Sequence, residues 1–192
     1  MIDKEEYMIN LPFKHELLDG KGNPCTIEFR EATVEDIDKV MELQQVIVDA
    51  LPDKDLYQTS TKEEYLLQLQ EDCCFMAECN GEVAGFSVLV PNDADNPRNY
   101  GKYFDYDREQ LAKTASLDLT MVSPKYRGLG IQRNFNKIRI GKAVENGAAE
   151  GLCSISPDNP YSYRNFTVLN FDIIEEREMY GGKKRYLLRK VF

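Results

Sequence analysis

The sequence predicts an α/β (α+β) fold: a single domain on a mixed, strongly twisted sheet of about seven strands, with helices on both faces. Three observations predict it. Cys73–Cys79 and Val83–Val90 are apolar runs joined by Asn80-Gly81, the dipeptide preferred in a tight primed turn, so antiparallel pairs are required. Ala115–Val122 leads through a glycine-containing turn into a long helix and then another strand, a passage that requires a parallel pair. The 192 residues, 42% hydrophobic and 30% charged, suffice for one buried core and are few for two.

The elements follow in order. Phe13–Leu18 and Cys25–Arg30 read as strands around the turn-rich Asp19-Gly20-Lys21-Gly22-Asn23-Pro24, the first of them inside an N-terminal extension, 1–24. Thr33 and Asp36 make a capping signature ahead of an amphipathic run through Ile37, Val40, Met41, Leu43, Ile47 and Val48, which Pro52 stops. Thr61 with Glu64 signals a second helix carrying Tyr65, Leu66 and Leu69. After the hairpin, residues 91–114 form a long polar insertion with a short helix over Arg108–Lys113. Its length predicts a functional flap or a surface excursion. Arg127-Gly128-Leu129-Gly130 opens a helix with Ile131, Phe135, Ile138, Ile140 and Val144, running towards Gly151. Leu152–Ser156 is a strand, a helix runs from Asn159 to about Leu169, and Phe171–Ile174 and Arg185–Val191 are the last strands, turned around Gly181-Gly182.

Charge and composition exclude some functions. A net charge of −9 argues against nucleic acid as a partner, which needs a basic footprint, and weakly favours a cationic substrate such as an amine. No apolar run approaches the roughly 18 residues needed to span a bilayer, and the acidic start Met1-Ile2-Asp3-Lys4-Glu5-Glu6 is unlike a signal peptide. No membrane association and a cytoplasmic location are the expectations. Cys25, Cys73, Cys74, Cys79 and Cys153 lack paired spacing and read as reduced core thiols. With one histidine, His15, read as structural or exposed, no metal site is expected.

The chemistry concentrates in Leu117-Asp118-Leu119-Thr120-Met121-Val122-Ser123-Pro124-Lys125-Tyr126-Arg127-Gly128-Leu129-Gly130-Ile131-Gln132. A strand is delivered through two glycines into a helix whose first turn carries unpaired N–H donors and the positive end of a dipole. That combination makes a phosphate cradle without a metal, with Arg127 and Arg133 adding charge. A Walker loop would need Lys-Ser/Thr where Ile131-Gln132 stand, and a dinucleotide fingerprint would need a third glycine. An ordinary strand–helix connection is the other reading of the glycines.

The segment resembles the acetyl-CoA-binding motif of the GNAT superfamily of N-acetyltransferases: Arg/Gln-x-x-Gly-x-Gly/Ala after a strand ending in Val-x-Pro. Arg127 and Gly130 match, while Gln132 replaces the usual small residue. The helix pair, the Asn80-Gly81 hairpin, Asn159-x-x-Ser162 and Leu169-Asn170-Phe171 also agree with the family, so the resemblance covers about residues 26–190. Asn170 stands for a glycine and tolerates the same left-handed backbone. The resemblance implies acetyl-CoA as acyl-donor cosubstrate, with its pantetheine arm in a gap beside a splayed strand. It implies main-chain contacts at Thr120 and Val122, pyrophosphate contacts at the amides of Gly128, Leu129, Gly130, Ile131 and Gln132, and help from Arg127 and Arg133. Asn159 matches an asparagine that reaches the cofactor; as a helix N-cap it has a second reading, and the two roles can coexist.

Acylating an amine requires a base for the ammonium proton, a donor to the oxyanion and an acid for, or tolerance of, the thiolate. The backbone N–H of Val122 is the candidate oxyanion donor. Asp118 is the candidate base: a carboxylate on a central strand needs a partner or a cleft, and burial would raise its pKa. Its alternative is a structural hydrogen bond. Many relatives carry a tyrosine as the acid seven residues after the asparagine, where this chain has Phe166. Tyr163, one turn earlier, and Tyr161 are the substitutes, with packing as their alternative. Tyr100, Tyr103, Phe104 and Tyr106 in the insertion line an acceptor pocket, pin the loop or form a homodimer contact. The reading is an N-acyltransferase acting on a small-molecule amine or a peptide. The rival is a non-catalytic acyl-CoA-binding sensor on the same scaffold, motivated by Phe166.

Overall fold

In the computed structural model, which describes residues 4–19, 21–51 and 57–192, the strands are β1 (Phe13–Leu18), β2 (Pro24–Glu31), β3 (Cys73–Cys79), β4 (Glu82–Val90), β5 (Thr114–Val122), β6 (Glu150–Ile155), β7 (Asp172–Met179) and β8 (Lys183–Val191). The helices are α1 (Ile37–Ala50), α2 (Lys62–Glu71), α3 (Arg108–Leu111), α4 (Ile131–Glu145) and α5 (Pro160–Thr167). One sheet holds the strands in the order β1-β2-β3-β4-β5-β6-β8-β7. It is mixed: β5 pairs parallel with β6, whereas β1–β2, β2–β3, β6–β8 and β7–β8 are antiparallel. The strand count is eight, not seven, because Phe13–Leu18 of the expected extension pairs with β2.

Local chemistry sets the boundaries. Thr61 and Glu64 bond each other's backbone amides at 3.2 and 2.8 Å to start α2. The Thr33 amide donates to Asp36 Oδ2 at 3.0 Å, and the first turn there is a 3-10 turn over Val34–Asp36 before α1 begins. Asn80 and Gly81 both take positive φ, 52° and 80°, the primed turn that their identity predicts. The helix expected to run towards Gly151 stops at Glu145, because Gly147 turns left-handed (φ 84°) and the Ala148 amide closes onto the Ala143 carbonyl. The last hairpin is longer than expected. The stop expected at Pro52 lies outside the described residues.

The chain divides into two compact units. The first comprises Ile9–Val88 and Leu119–Phe135. There α1 and α2 lay Val40, Leu43, Ile47, Tyr65 and Leu69 on Cys74, Met76, Phe86, Val88 and Met121. The opposite face of its strands meets the start of α4, where Phe135 packs edge-on to Phe29 at 5.2 Å. The second unit comprises residues up to Met8, Leu89–Asp118 and Asn136–Phe192. Its core gathers Tyr100, Leu152, Met179 and Leu187. Asn99, fully buried, ties residues 91–113 down by donating to the carbonyls of Asp93, Leu111 and Thr114 at 3.0–3.1 Å. No helix among the described residues is long and apolar enough to cross a membrane.

Candidate functional site

In the first unit β5 ends at Val122 and enters a tight turn. The Ser123 amide still bonds the Ala84 carbonyl of β4 at 2.9 Å, and Pro124–Tyr126 then form one 3-10 turn. Tyr126, nearly buried, donates to Glu82 Oε2 at 2.7 Å, and Lys125 bonds the same oxygen. These two hold the Glu82 carboxyl below its ordinary range. Gly128 and Gly130 follow at φ 83° and 74°, where a side chain would strain the backbone, although a built Cβ at either meets nothing within 4 Å. Space around both is open, as a ligand needs. The first bond of α4 runs from the Asn134 amide to the Gly130 carbonyl at 3.0 Å, so the amides ahead of it form the donor-rich start of the helix. Arg127 and Arg133 are exposed there.

Gly85 has a role that sequence reading missed. A Cβ on it would meet the Met121 carbonyl at 2.8 Å, Phe135 at 2.9 Å and Ile131 at 3.1 Å, so its absence lets β4, β5 and the first turn of α4 approach. Ser87, fully buried on β4, donates to the Leu119 carbonyl at 2.9 Å and shares a hydrogen bond with Thr120 Oγ1 at 3.2 Å. The Thr120 hydroxyl is thereby turned to β4.

In the second unit the parallel register pairs Thr114, Ala115 and Ser116 of β5 with Glu150, Gly151 and Leu152 of β6 and stops there, although β6 continues to Ile155. Asp118 follows, the first half-buried residue after a buried run. Its Oδ1 accepts from the Tyr100 hydroxyl at 2.6 Å, and Arg98 Nη1 lies 3.6 Å from Oδ2. The Tyr100 hydroxyl also meets that of Tyr180 at 3.2 Å. Burial, then the Asp118 charge, lifts the Tyr100 phenol well above 10, so it stays a donor at neutral pH. Tyr180 holds a left-handed backbone (φ 52°) before Gly181-Gly182, a strained setting for a bulky residue. Beneath the cluster Arg139 is fully buried and bonds Asn136 Oδ1 at 2.5 Å. Burial lowers its pKa to about 10, which leaves it charged at neutral pH, and its charge acts on Cys153, Asp118 and Tyr100.

The description "Acetyltransferase (GNAT) family" matches this chain over residues 38–171. The chain belongs to that family. Among solved structures, an N-acetyltransferase from Staphylococcus aureus Mu50 superposes at a TM-score of 0.65 and 17% identity, covering 86% of this chain and 98% of that one. Ribosomal-protein-alanine N-acetyltransferase from Brucella melitensis gives 0.66 and 18%, covering 85% and 99%. The yncA protein from Salmonella typhimurium, solved with its cofactor acetyl-CoA, gives 0.62 and 17%, covering 86% and 93%. At such identities the likeness is one of fold. No curated protein sequence matches the chain.

The remaining residues singled out in this GNAT chain fall as follows. Asn159 caps α5, its Oδ1 accepting from the Ser162 amide at 3.0 Å. Phe166 is buried and packs edge-on to Phe171 at 5.1 Å. Tyr163 is exposed on α5, with the Tyr186 ring 6.4 Å away, and Tyr161 is more exposed still. The phenol that bonds Asp118 comes instead from Tyr100. Asn170 takes φ 60°, the left-handed conformation expected of it. Among the described residues no cluster of three or more His, Cys, Asp or Glu could hold a metal.

Proposed function

We propose that this GNAT chain transfers an acetyl group from acetyl-CoA to a primary amine by direct attack of the amine on the thioester. One observation carries the reading: two left-handed glycines open α4 inside the segment that the family model matches, with open space about both. The residues fit the coenzyme's needs. Amides from Gly128 through Gln132 would take the pyrophosphate, as a helix start suits an anion, with Arg127 and Arg133 beside it. The main chain at Thr120 and Val122 would pair with the pantetheine arm, and Asn159, which matches the family's cofactor-contacting asparagine, is the further candidate coenzyme contact. The bound donor supplies an activated acyl group.

Asp118 is assigned the ammonium proton, taken directly or through one water. Tyr100 is a positioning residue: a nearly buried phenol that donates to Oδ1 holds the carboxylate in one orientation. Tyr163 is the candidate acid, and its exposure on α5 leaves its hydroxyl accessible. The Val122 N–H is the candidate oxyanion donor. Burial of Phe166 supports the second reading, a coenzyme-binding sensor, because the ring there packs rather than donates. The test is release of free thiol from acetyl-CoA over a panel of small amines and peptides. Turnover with any acceptor supports the enzyme. Calorimetric binding without turnover across the panel supports the sensor, and no binding at millimolar coenzyme overturns both.

A further inference from the structure

In the first unit the sulfurs of Cys25 on β2 and Cys79 on β3 lie 3.2 Å apart. The register explains the approach. Ile27 faces Cys79, so Cys25 is two residues along on the same face, the diagonal neighbour of an antiparallel pair. A disulfide bond is about 2.05 Å long, so closing it asks the sulfurs to move by roughly 1.2 Å. Access is unequal: Cys25 is half-buried, whereas Cys79 is 2% exposed. By contrast, Cys74 turns its thiol to the Gln68 carbonyl at 3.3 Å, and Cys153 is buried.

We propose that Cys25 and Cys79 form a modification site, a thiol pair that a peroxide closes to a disulfide and a dithiol reopens. The accessible Cys25 thiolate attacks the peroxide O–O bond, becomes a sulfenic acid and releases one water once protons are counted. Cys79 sulfur then displaces the sulfenic oxygen, which leaves as a second water with the Cys79 proton. Two thiols and one hydrogen peroxide thus give one disulfide and two waters. Burial pushes the Cys79 thiol up to about 11, which makes it the poorer first attacker and leaves that step to the more accessible Cys25.

The pair also touches the coenzyme turn. The Cys79 sulfur interacts electrostatically with the Tyr126 phenol, and Tyr126, just ahead of Arg127 and the two glycines, donates its hydroxyl to Glu82 of β4. Closing the disulfide removes the thiol proton and draws this sulfur towards Cys25. This coupling rests on the coenzyme reading above; the disulfide itself does not.

The experiment counts thiols in denaturant before and after peroxide, with peptide mapping. The reduced chain has five cysteines. Peroxide should leave three, with a Cys25–Cys79 cross-link, and a dithiol should restore all five; Cys25→Ser should keep its remaining four, whereas Cys79→Ser should lose one, with Cys25 stopped at a sulfenic acid and no cross-link formed. Five surviving thiols, another cross-link, or Cys25 over-oxidised without a bridge would overturn the proposal. Calorimetry then uses acetyl-CoA, which has no free thiol to reduce the bridge. Oxidised wild type should bind at least threefold more weakly than reduced, while Cys25→Ser should not respond to peroxide. Equal affinities overturn the coupling alone, and no binding by the reduced protein sinks the coenzyme reading without touching the thiol count.

Discussion

A carboxylate serves as a base only when one lone pair is aimed at the proton it removes, and for Asp118, the base proposed above, the aim would be set by one hydrogen bond and one nearby guanidinium. Tyr100 holds Oδ1 of Asp118 at 2.6 Å, and Arg98 stands near Oδ2. Asp118→Asn keeps the shape and removes the basicity, so kcat/KM should fall by about 100-fold or more, as loss of a general base does. Tyr100→Phe keeps the ring in the core and releases the carboxylate. We expect about a tenfold loss, borne by kcat rather than KM, with the fold retained by circular dichroism. An unchanged kcat in Tyr100→Phe would mean that the hydrogen bond only pins the insertion.

At the scale of elements, α1 is anchored through an ionic cluster. Arg30 on β2 bonds Asp36 at 2.8 Å and Glu78 on β3 at 2.9 Å, and Lys39 joins Glu78. The guanidinium holds both carboxyls below their ordinary range. Groups lowered by folding contribute stability that is present above the unfolded value, near 4, and is lost as pH falls through the folded value. Arg30→Met should therefore cost about 2 kcal/mol at pH 7. In urea melts the gap from wild type should narrow as pH drops below about 4; a gap independent of pH would show that the loss is packing. Thr61→Ala removes one cap and should cost about 1 kcal/mol. That cap, the Asn80-Gly81 turn and the two glycines before α4 were legible in sequence because each is a short-range pattern with one physical solution. The partners of Asp118 were not, since Arg98 and Tyr100 reach it, and Tyr180 reaches Tyr100, from segments with no shared period. Arg139 was hidden for a related reason: it sits between Ile138 and Ile140 on α4, where an apolar stripe predicts no buried cation. The length of β7 was missed because Glu175, Glu176, Arg177 and Glu178 look like a loop, yet an edge strand tolerates charge on its open side.

For the whole molecule, a net charge of −9 sets the long-range field against a polyanionic coenzyme. In the proposed reading, affinity for it must come from donors within reach, and the start of α4 is where the sequence concentrates them. Ligand that binds only the folded state stabilises it by about 2.7 kcal/mol at a hundredfold excess over Kd. For a chain of this size each kcal/mol moves Tm by about 2–4 °C, so saturating acetyl-CoA should raise Tm by roughly 5–10 °C. Gly130→Ala separates fold from ligand. Its φ of 74° makes a side chain cost about 1 kcal/mol, but the added methyl meets nothing within 4 Å, so the protein should still fold. To relieve the strain the turn must move, and with it the amides on either side. The coenzyme-induced rise in Tm should then shrink to less than half the wild-type value. A rise as large as wild type in Gly130→Ala, measured at the same coenzyme excess, would move the anion site away from this turn.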